Sequence, residues 1–417
     1  MSVAPPPRRR AMALAYVAFA SGYLLSYTFR TVNAVISPEL TRQLGIDPAS
    51  LGLLTSAYFL AFGAFQIPAG ILLDRFGPRR VEPVLLAAAA LGAFVFASSD
   101  SVGTLLVGRA IIGLGVCVCL MAPLKALAVW YPAERQASLS GWIMVAGGLG
   151  ALASTTPLEV AMRFGSWRAI FVALGLLTLA VALLVAALVP DVPPPAGRIG
   201  LRVQLAGVAK VLRDARFWWI APLATVGMGS FMAIQGLWAV PWMIEVEGTT
   251  RAVAAARLLG MSFTIIGGYL FLGLFATRLA HLGIRAAHLF GSGFVGKCVA
   301  LAAIVSHASG GWWWVVYGLG SSVNVLAFSV LNQGFPRALA ARVNTALNLL
   351  MFGGSFLVQW GIGIAVDVAR DRYGLATRDG LQAAFTIVVV LDAAACAWFA
   401  TRWRHHANML PSAMATP

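Results

Sequence analysis

Two long apolar runs that carry no charge, joined by a short basic turn, constrain most strongly what this chain can fold into. The runs cover about 51–73 and 84–99. As a helix rising roughly 1.5 Å per residue, the first run can cross a hydrocarbon core of about 30 Å, whereas the second needs 81–83 to reach the interface. The turn between them, residues 70–80, contains Asp74 and three arginines. We expect this turn on the cytoplasmic side, because short basic loops are retained there.

The composition excludes a soluble protein of this size. The 417 residues are 60% hydrophobic and 11% charged, and the mean hydropathy is +0.83. A soluble surface needs far more charge, so most of the chain must lie in a lipid bilayer. Backbone polar groups in lipid need partners within the protein, which leaves helices or a closed barrel. Long apolar runs dominate and two-residue alternation is absent, so the sequence predicts an all-α membrane protein.

The formal charge of +15 does not indicate a nucleic-acid-binding protein. The 30 Lys and Arg residues lie mostly at the ends of apolar runs, so we expect the lipid bilayer as a partner and no nucleic acid. The four cysteines lie within apolar runs, and the five histidines lie in or near loops without metal-ligand spacing. No phosphate-cradling loop of the Walker type occurs. The sequence therefore predicts no cofactor, no bound metal and no enzyme activity.

The apolar runs and their breakers predict twelve transmembrane helices in two groups of six. The predicted spans are 12–36, 50–73, 81–99, 102–129, 137–162, 167–189, 217–243, 252–276, 286–306, 311–335, 343–366 and 381–401. We divide the chain into a bundle at 1–189, a cytoplasmic linker with an amphipathic helix at 190–216, a bundle at 217–401 and a cytoplasmic tail at 402–417. Basic residues are in excess in the segments that this topology places inside, so both termini are predicted to be cytoplasmic.

Three segments resemble the major facilitator superfamily of transporters. The basic turn has the spacing Gly-x3-Asp-Arg-x-Gly-x-Arg-Arg of the loop between helices 2 and 3 of that family, and we call it the signature loop. Its matching residues are Gly70, Asp74, Arg75, Gly77, Arg79 and Arg80. Arg109-x3-Gly113-x-Gly115 resembles an element of span 4, and residues 165–171 resemble the entry to span 6. The resemblance implies a cavity lined mainly by spans 1, 4, 7 and 10, with alternating access by rocking of two halves.

The resemblance also implies a role for the signature loop in conformational change. Gly70 is expected to let span 2 approach another helix closely, as small residues do in membranes. Asp74 should face the N-terminus of span 11, near Arg342 and Asn344, where the helix dipole favours an anion. Such a contact would hold one conformation and break when the cytoplasmic side opens. A solvated turn is the plainer alternative.

Charged residues inside the predicted spans point to the chemistry of a substrate. Arg30, Arg109 and Lys125 lie within spans of the first half, whereas we place carboxylates well inside spans only at Glu159 and Asp392. Charges within spans are costly and usually functional. The first-half cavity would therefore carry cations without matching acids, which predicts a small anionic substrate. Glu159 and Asp392 are candidates for proton coupling, and Asp392 could instead pair with a cation of the second half.

Arg30 is the best placed of these cations. One polar stripe on a helix, spaced by threes and fours, comprises Tyr23, Ser26, Tyr27, Arg30 and Asn33. The planar fork of a guanidinium group suits a carboxylate or a phosphate. The string Tyr27-Thr-Phe-Arg30, with Pro38 eight residues further on, resembles span 1 of the organophosphate/phosphate antiporter branch. In that branch a matching arginine contacts the phosphate.

The match to that branch weakens in span 7. The branch has a second arginine there, and this chain offers Gln235 and Trp238 instead. The sequence thus lacks a two-arginine phosphate clamp, and a carboxylate or a smaller anion becomes competitive with a phosphate ester. In the second half, Asn324 and Asn348 are candidates for substrate contact, with hydrogen bonding between helices as the alternative.

The other buried cations leave alternatives open. Lys125 follows Pro123 in span 4 and either contacts the substrate or extends to the nearby cytoplasmic surface. Arg109, in the same element as Gly113, either binds substrate or donates to backbone carbonyls of neighbouring helices. Lys297 in span 9 is expected to pack at a helix flank.

The whole pattern predicts a monomeric, multi-pass protein of the cell inner membrane. Its predicted function is secondary active transport of a small anionic solute by alternating access, as a symporter or an antiporter. A proton-coupled exporter of drugs or metabolites is the first alternative, although such exporters usually present a membrane carboxylate to a cationic drug. A receptor or assembly factor that keeps the fold without transport is the second alternative.

Overall fold

The computed structural model describes residues 9–131, 133–191, 201–307, 310–336 and 339–406, and all regular structure in these ranges is helical. The α-helices are α1 (Arg9–Thr31), α2 (Asn33–Leu44), α3 (Pro48–Ala64), α4 (Gln66–Phe76), α5 (Pro78–Ala97), α6 (Val102–Val116), α7 (Met121–Trp130), α8 (Ala133–Ala153), α9 (Thr156–Phe164), α10 (Trp167–Leu188), α11 (Leu201–Leu212), α12 (Phe217–Ala233), α13 (Ala239–Glu245), α14 (Arg251–His281), α15 (Ala286–Val305), α16 (Trp312–Ser321), α17 (Leu326–Gln333), α18 (Ala340–Tyr373) and α19 (Thr377–His406). Linker residues 192–200 and tail residues 407–417 lie outside the described ranges.

The helices agree with the predicted number of spans. In the described ranges, ten helices are long and apolar enough to cross a membrane, or up to twelve if each of two bent pairs is one span. The first pair, α3 and α4, bends by 46°, and the second, Ser138–Ala153 and Thr156–Phe164, bends by 43°. Ser101 and Ser166 cap the starts of α6 and α10 by accepting hydrogen bonds from backbone N–H groups. The all-α membrane fold is therefore confirmed.

Besides the two bent pairs, which belong to predicted spans 2 and 5, four further spans are interrupted. Span 1 breaks at Val32 between α1 and α2, and span 4 breaks at 117–120 between α6 and α7. In span 7, a π-helical turn at Ile234–Trp238 separates α12 from α13, and in span 10 a 3₁₀ turn at Ser322–Val325 separates α16 from α17. These four spans are the ones that the resemblance assigns to the cavity walls. Irregular turns within spans recur at functional sites, because they free backbone and side-chain polar groups from helical geometry.

The helices form two compact units. The first unit comprises Met1–Val32 with Ala57–Leu201, and in it α5 packs against α6 and α10 while α1 packs against α8 and α10. The second unit comprises Asn33–Ser56 with Arg202–Pro417, and in it α12 packs against α18 and α19. The sequence assigned Asn33–Ser56 to the first bundle, and the packing groups this segment with the second. The predicted domain boundaries stay a prediction.

Small residues allow the closest helix contacts of the first unit. A Cβ atom at Gly113 of α6 would lie 2.3 Å from the carbonyl oxygen of Tyr58, and one at Gly150 of α8 would lie 2.1 Å from that of Leu24 in α1. Backbones approach this closely only where the side chain is a hydrogen atom, as in other membrane helix pairs. The glycines thus fix the positions of α1 and of the helix that carries Tyr58.

We predict that Gly113→Ala destabilises the first unit by roughly 1–3 kcal/mol, because α6 must move away from Tyr58. The measurement is the thermal unfolding midpoint of purified protein in detergent. The matched control is Gly103→Ala in the same helix, where a Cβ atom would meet nothing within 4 Å. Indistinguishable midpoints for the two variants would contradict the close approach.

Candidate functional site

Arg30 lies in an aromatic surrounding within the first unit. It occupies the last turn of α1 and is 4% exposed. Its guanidinium carbon lies 4.4 Å from the ring centroid of Tyr27 and 5.1 Å from that of Phe62. The hydroxyl group of Tyr58 also interacts with the guanidinium group. Cation–π contacts of this kind hold a guanidinium group in a fixed plane and orient its donors.

Tyr58 connects Arg30 to a second buried arginine. Its hydroxyl group donates a hydrogen bond to the carbonyl oxygen of Ser26 at 3.1 Å, and its ring centroid lies 5.0 Å from the guanidinium carbon of Arg109. Tyr58 therefore contacts both guanidinium groups, those of Arg30 and Arg109, and the backbone of helix α1. Because all these residues are buried, a change in one of them alters the others directly.

Arg109 stabilises the backbone next to Arg30. Its Nη1 donates to the carbonyl oxygen of Phe29 at 2.7 Å. Helix α1 ends at Thr31, so its final carbonyls lack helical donors, although that of Thr28 still accepts from the N–H group of Val32. Arg109 satisfies the one that precedes Arg30 in the chain. Of the two alternatives from the sequence, this geometry matches hydrogen bonding to a neighbouring helix.

Lys125 contacts the signature loop. Its Nζ donates to the carbonyl oxygen of Leu73 at 2.6 Å and to Oδ1 of Asp74 at 2.7 Å. In this conformation the ammonium group is therefore bound at the end of α4. The expected substrate contact of Lys125 stays a prediction.

The residues expected near Asp74 have contacts of their own within the second unit. Arg342 lies against Gly207 of α11, where a Cβ atom would come within 2.2 Å of its Cδ. Asn344 accepts a hydrogen bond from Nδ2 of Asn332 at 2.8 Å. The proposed contact of Asp74 with the start of span 11 remains a prediction.

The glycines of the signature loop have different roles from one another. Gly77 has a φ of 77° between α4 and α5, a backbone conformation that glycine adopts without strain. Gly70 was expected to allow a close helix contact, but a Cβ atom there would meet nothing within 4 Å. That expectation is wrong for this conformation, because among the described residues no other helix comes within 4 Å of that position.

The arginines of the signature loop lie at the surface of the first unit. Arg79 donates to the carbonyl oxygen of Ala186 at 3.2 Å and pairs with Asp191 at 3.3 Å. The guanidinium carbon of Arg75 lies 5.0 Å from the ring centroid of Phe76, and Arg80 is exposed. Arg79 thus connects the start of α5 to the end of α10.

The candidate residues of span 7 are buried in the second unit. Gln235, in the π-helical turn, donates to Oγ of Ser262 at 3.3 Å, and Trp238 donates from Nε1 to the carbonyl oxygen of Gln359 at 2.9 Å. Asn33, grouped with this unit, donates from Nδ2 to Oγ1 of Thr55 at 2.8 Å. The stripe predicted on span 1 is therefore divided, since Asn33 follows the break at Val32.

Two buried amides of the second unit are unsatisfied within the described ranges. Neither side-chain polar atom of Asn324, in the 3₁₀ turn, or of Gln359, in α18, has a hydrogen-bond partner. Asn348 lies in α18 and is half-buried. Buried amides without partners are costly, so these groups are candidates for contact with a polar ligand.

Both acids that the sequence proposed for proton coupling are paired with cations. Asp392 in α19 accepts hydrogen bonds from Lys297 at 3.0 Å and from Ser230 at 3.0 Å, and the pair is buried in the second unit. Glu159 pairs with Arg163 at 3.0 Å, one turn further along α9. Asp392 is therefore paired with Lys297, a cation of the second half, which is the alternative to proton coupling that the sequence left open.

Sequence reasoning missed one buried carboxyl group. Glu82 of α5 is 0% exposed, and neither carboxylate oxygen has a hydrogen-bond partner among the described residues. We had placed 81–83 at the membrane interface. The sequence did contain a signal for an earlier start of this helix, namely Pro78 directly after Gly77, because proline favours the first position of a helix. A helix that begins at Pro78 places Glu82 in its second turn.

Residues 19–359 match the Major Facilitator Superfamily. This chain belongs to that superfamily. The match confirms the resemblance inferred from the signature loop and from span 4. It also confirms a multi-pass membrane protein, in agreement with the candidate spans.

Several curated relatives are named as transporters of acids. The chain is 27% identical over 273 residues to the hexuronate transporter of Escherichia coli K12, covering 60% of this chain and 62% of that protein. It is 27% identical over 177 residues to a probable sulfoacetate transporter of Cupriavidus necator, covering 42% and 41%. A galacturonate transporter of Dickeya chrysanthemi is 28% identical over 162 residues, covering 39% and 47%. The matches thus span about two fifths to three fifths of the relatives' lengths.

Solved structures share the fold over almost the whole chain. A bacterial homolog of the human lysosomal transporter Spinster, in an inward-facing and unoccupied conformation, has a TM-score of 0.77 at 19% identity and covers 98% of this chain and 100% of its own. The POT family transporter PepTSo has a TM-score of 0.74 at 13% identity, covering 96% and 99%. At these identities the likeness concerns the fold. Membership in a superfamily of transporters agrees with the prediction that the chain is not an enzyme.

We predict that Tyr58→Phe lowers the stability of the protein by about 0.5–1.5 kcal/mol, because the hydroxyl group that joins Ser26 and Arg30 is lost. Thermal unfolding of the purified variant measures the effect. Tyr373→Phe is the matched control, because Tyr373 is 73% exposed at the end of α18. Equal effects of the two substitutions would argue against the shared contact.

Proposed function

We propose that the protein is a secondary active transporter that moves a small carboxylate anion across the bacterial inner membrane by alternating access. We further propose that it acts as a monomer. The observation that carries the proposal is the buried guanidinium group of Arg30, held by Tyr27 and Tyr58 next to the break in span 1. A guanidinium group inside a membrane span recognises a carboxylate through two parallel hydrogen bonds.

The residues of span 7 favour a carboxylate over a phosphate ester. A phosphate ester carries up to two charges, and the sequence has Gln235 and Trp238 where the antiporter branch has a second arginine. The relatives named as hexuronate and galacturonate transporters suggest a sugar acid. In the second unit, the unsatisfied amides of Asn324 and Gln359 suit hydroxyl groups, because an amide both donates and accepts.

We predict that D-galacturonate raises the thermal unfolding midpoint of the purified protein in a saturable way, whereas D-galactose does not. The two sugars differ at one carbon, where the acid carries the carboxylate that Arg30 would bind. A ligand that binds only the folded state stabilises it by mass action, by about 2.7 kcal/mol at a hundredfold excess over Kd.

Uptake of radiolabelled D-galacturonate into proteoliposomes then separates a transporter from a receptor, since binding without flux supports the receptor. A shift with lipophilic cations instead of the acid would support the exporter.

The role of Arg30 is tested by Arg30→Lys, which keeps the charge and removes the fork. We expect D-galacturonate uptake to fall about 10- to 100-fold, because a charge-assisted hydrogen bond contributes about 1.5–3 kcal/mol. Arg42→Lys is the matched control, since Arg42 is exposed in α2 and pairs with Glu39 one turn away. We expect Lys125→Arg to retain more uptake than Arg30→Lys, because a point charge at the signature loop needs no fork. Equal uptake by all three variants would overturn the assignment of Arg30.

A further inference from the structure

We infer that Glu82 is a protonation site that couples proton movement to the conformational cycle of helix α1. The inference rests on the proposed function, because the coupled cycle is that of an anion transporter. The structural basis is independent of the substrate. The carboxyl group of Glu82 is wholly buried, and both of its oxygens lack hydrogen-bond partners in the described part of the chain.

The surroundings of Glu82 hold it in its neutral form. A Cβ atom at Gly22 of α1 would lie 2.9 Å from Oε1 of Glu82, and 3.9 Å from side-chain carbons of Leu86 in α5 and Val181 in α10. Side chains of α5 and α10 thus meet the backbone of α1 beside the carboxyl group, and the two nearest of them apart from Glu82 are apolar. An ionised carboxylate without a partner in such surroundings is far too costly, so the group carries its proton here.

The titratable and charged groups on the elements around α5 do not compensate a charge on Glu82. Cys119, in the break between α6 and α7, lies near Glu82, and its thiol offers no positive charge. Cys117 lies in the same break and is buried. On α5 itself, Arg79 contacts Ala186 and Asp191, and Arg80 is exposed.

The cations of the neighbouring helices are likewise bound elsewhere. Arg109 of α6 donates to Phe29, and Lys125 of α7 pairs with Asp74 of α4. On α4, Arg75 lies over the ring of Phe76. The charged group of α10, Arg168, pairs with Asp100.

On α1, Arg10 is exposed, and the tyrosines are engaged with other residues. Tyr16 donates to the carbonyl oxygen of Leu139, and Tyr23 donates to the sulfur atom of Met144. Tyr27 packs edge to face against Tyr23 and lies under the guanidinium group of Arg30.

Helix α1 lies beside the carboxyl group of Glu82 and also carries Arg30, the proposed anion-binding residue. Gly22 and Arg30 are eight residues apart on α1, or about 12 Å along its axis. Closure of α1 over α5 requires a neutral Glu82, whereas movement of α1 away from α5 admits water to the carboxyl group. The O–H bond then breaks, the proton passes to water and the carboxylate is hydrated. Return of α1 requires that a proton from water bind to the carboxylate again.

The first experiment uses wild-type protein without a substrate. A membrane-soluble carbodiimide reacts with neutral carboxylic acids, and mass spectrometry of the digested protein locates the modified residue. We expect modification of Glu82 at neutral pH and none of Asp100, whose side chain is 84% exposed. An unmodified Glu82 would overturn the inference, because the inference requires both a neutral carboxyl group and its exposure during the cycle. This test stands even if D-galacturonate is not the substrate.

The second experiment separates proton coupling from transport itself. In proteoliposomes, a gradient of one pH unit supports about tenfold accumulation of D-galacturonate on the alkaline side for each proton carried along. We expect Glu82→Gln to retain exchange of labelled for unlabelled D-galacturonate and to lose the accumulation, whereas Asp100→Asn retains both. Accumulation by Glu82→Gln at the wild-type level would overturn the inference. Absence of exchange in the wild-type protein would instead overturn the proposed substrate.

Discussion

The site in the first unit depends on one shared contact, the placement of Tyr58 between the guanidinium groups of Arg30 and Arg109. Two cations at this depth would repel each other and destabilise the unit if they had only lipid and backbone around them. The ring of Tyr58 gives Arg109 a negative face, and its hydroxyl group contacts Arg30 and donates to Ser26 of the same helix. The close approach at Gly113 brings the backbone of Tyr58 to α6, which carries Arg109. The close approach of Gly113 to Tyr58 and the contacts of the Tyr58 side chain therefore together position Arg30 and Arg109.

The interruptions in the helices follow from the same need for polar groups at membrane depth. A continuous helix satisfies its own backbone and offers little to a ligand. Arg30 lies two residues before a break, Gln235 and Trp238 lie in a π-helical turn, and Asn324 lies in a 3₁₀ turn. Each interruption frees backbone groups that must then find partners. Arg109 is one such partner, because it donates a hydrogen bond to the carbonyl oxygen of Phe29. A cation with a structural role thereby stabilises the backbone beside Arg30.

The sequence predicted what periodicity and spacing encode, and it failed where contacts between distant helices decide. Twelve spans, the family and the buried position of Arg30 follow from apolar runs, charges and the signature loop. The pair formed by Lys125 and Asp74 joins residues 51 positions apart, and no local pattern distinguishes that partner from the start of span 11. Glu82 was missed because a charged residue near the end of an apolar run usually extends to the interface. The turn at Gly77 and Pro78 instead begins the helix early enough to bury it.

Two buried carboxyl groups, those of Asp392 and Glu82, differ in their consequences for transport. Asp392 is bound by Lys297 and Ser230, so its charge is compensated without any movement of the protein. Breaking a buried ion pair such as Lys297–Asp392 leaves an uncompensated buried charge and is therefore costly. Such a pair suits a fixed contact between helices. Glu82 has no such partner in the described ranges, so its ionisation must be accompanied by a change in its surroundings. Of these two acids, the one that sequence reasoning overlooked is the one for which we propose a link between protonation and helix position.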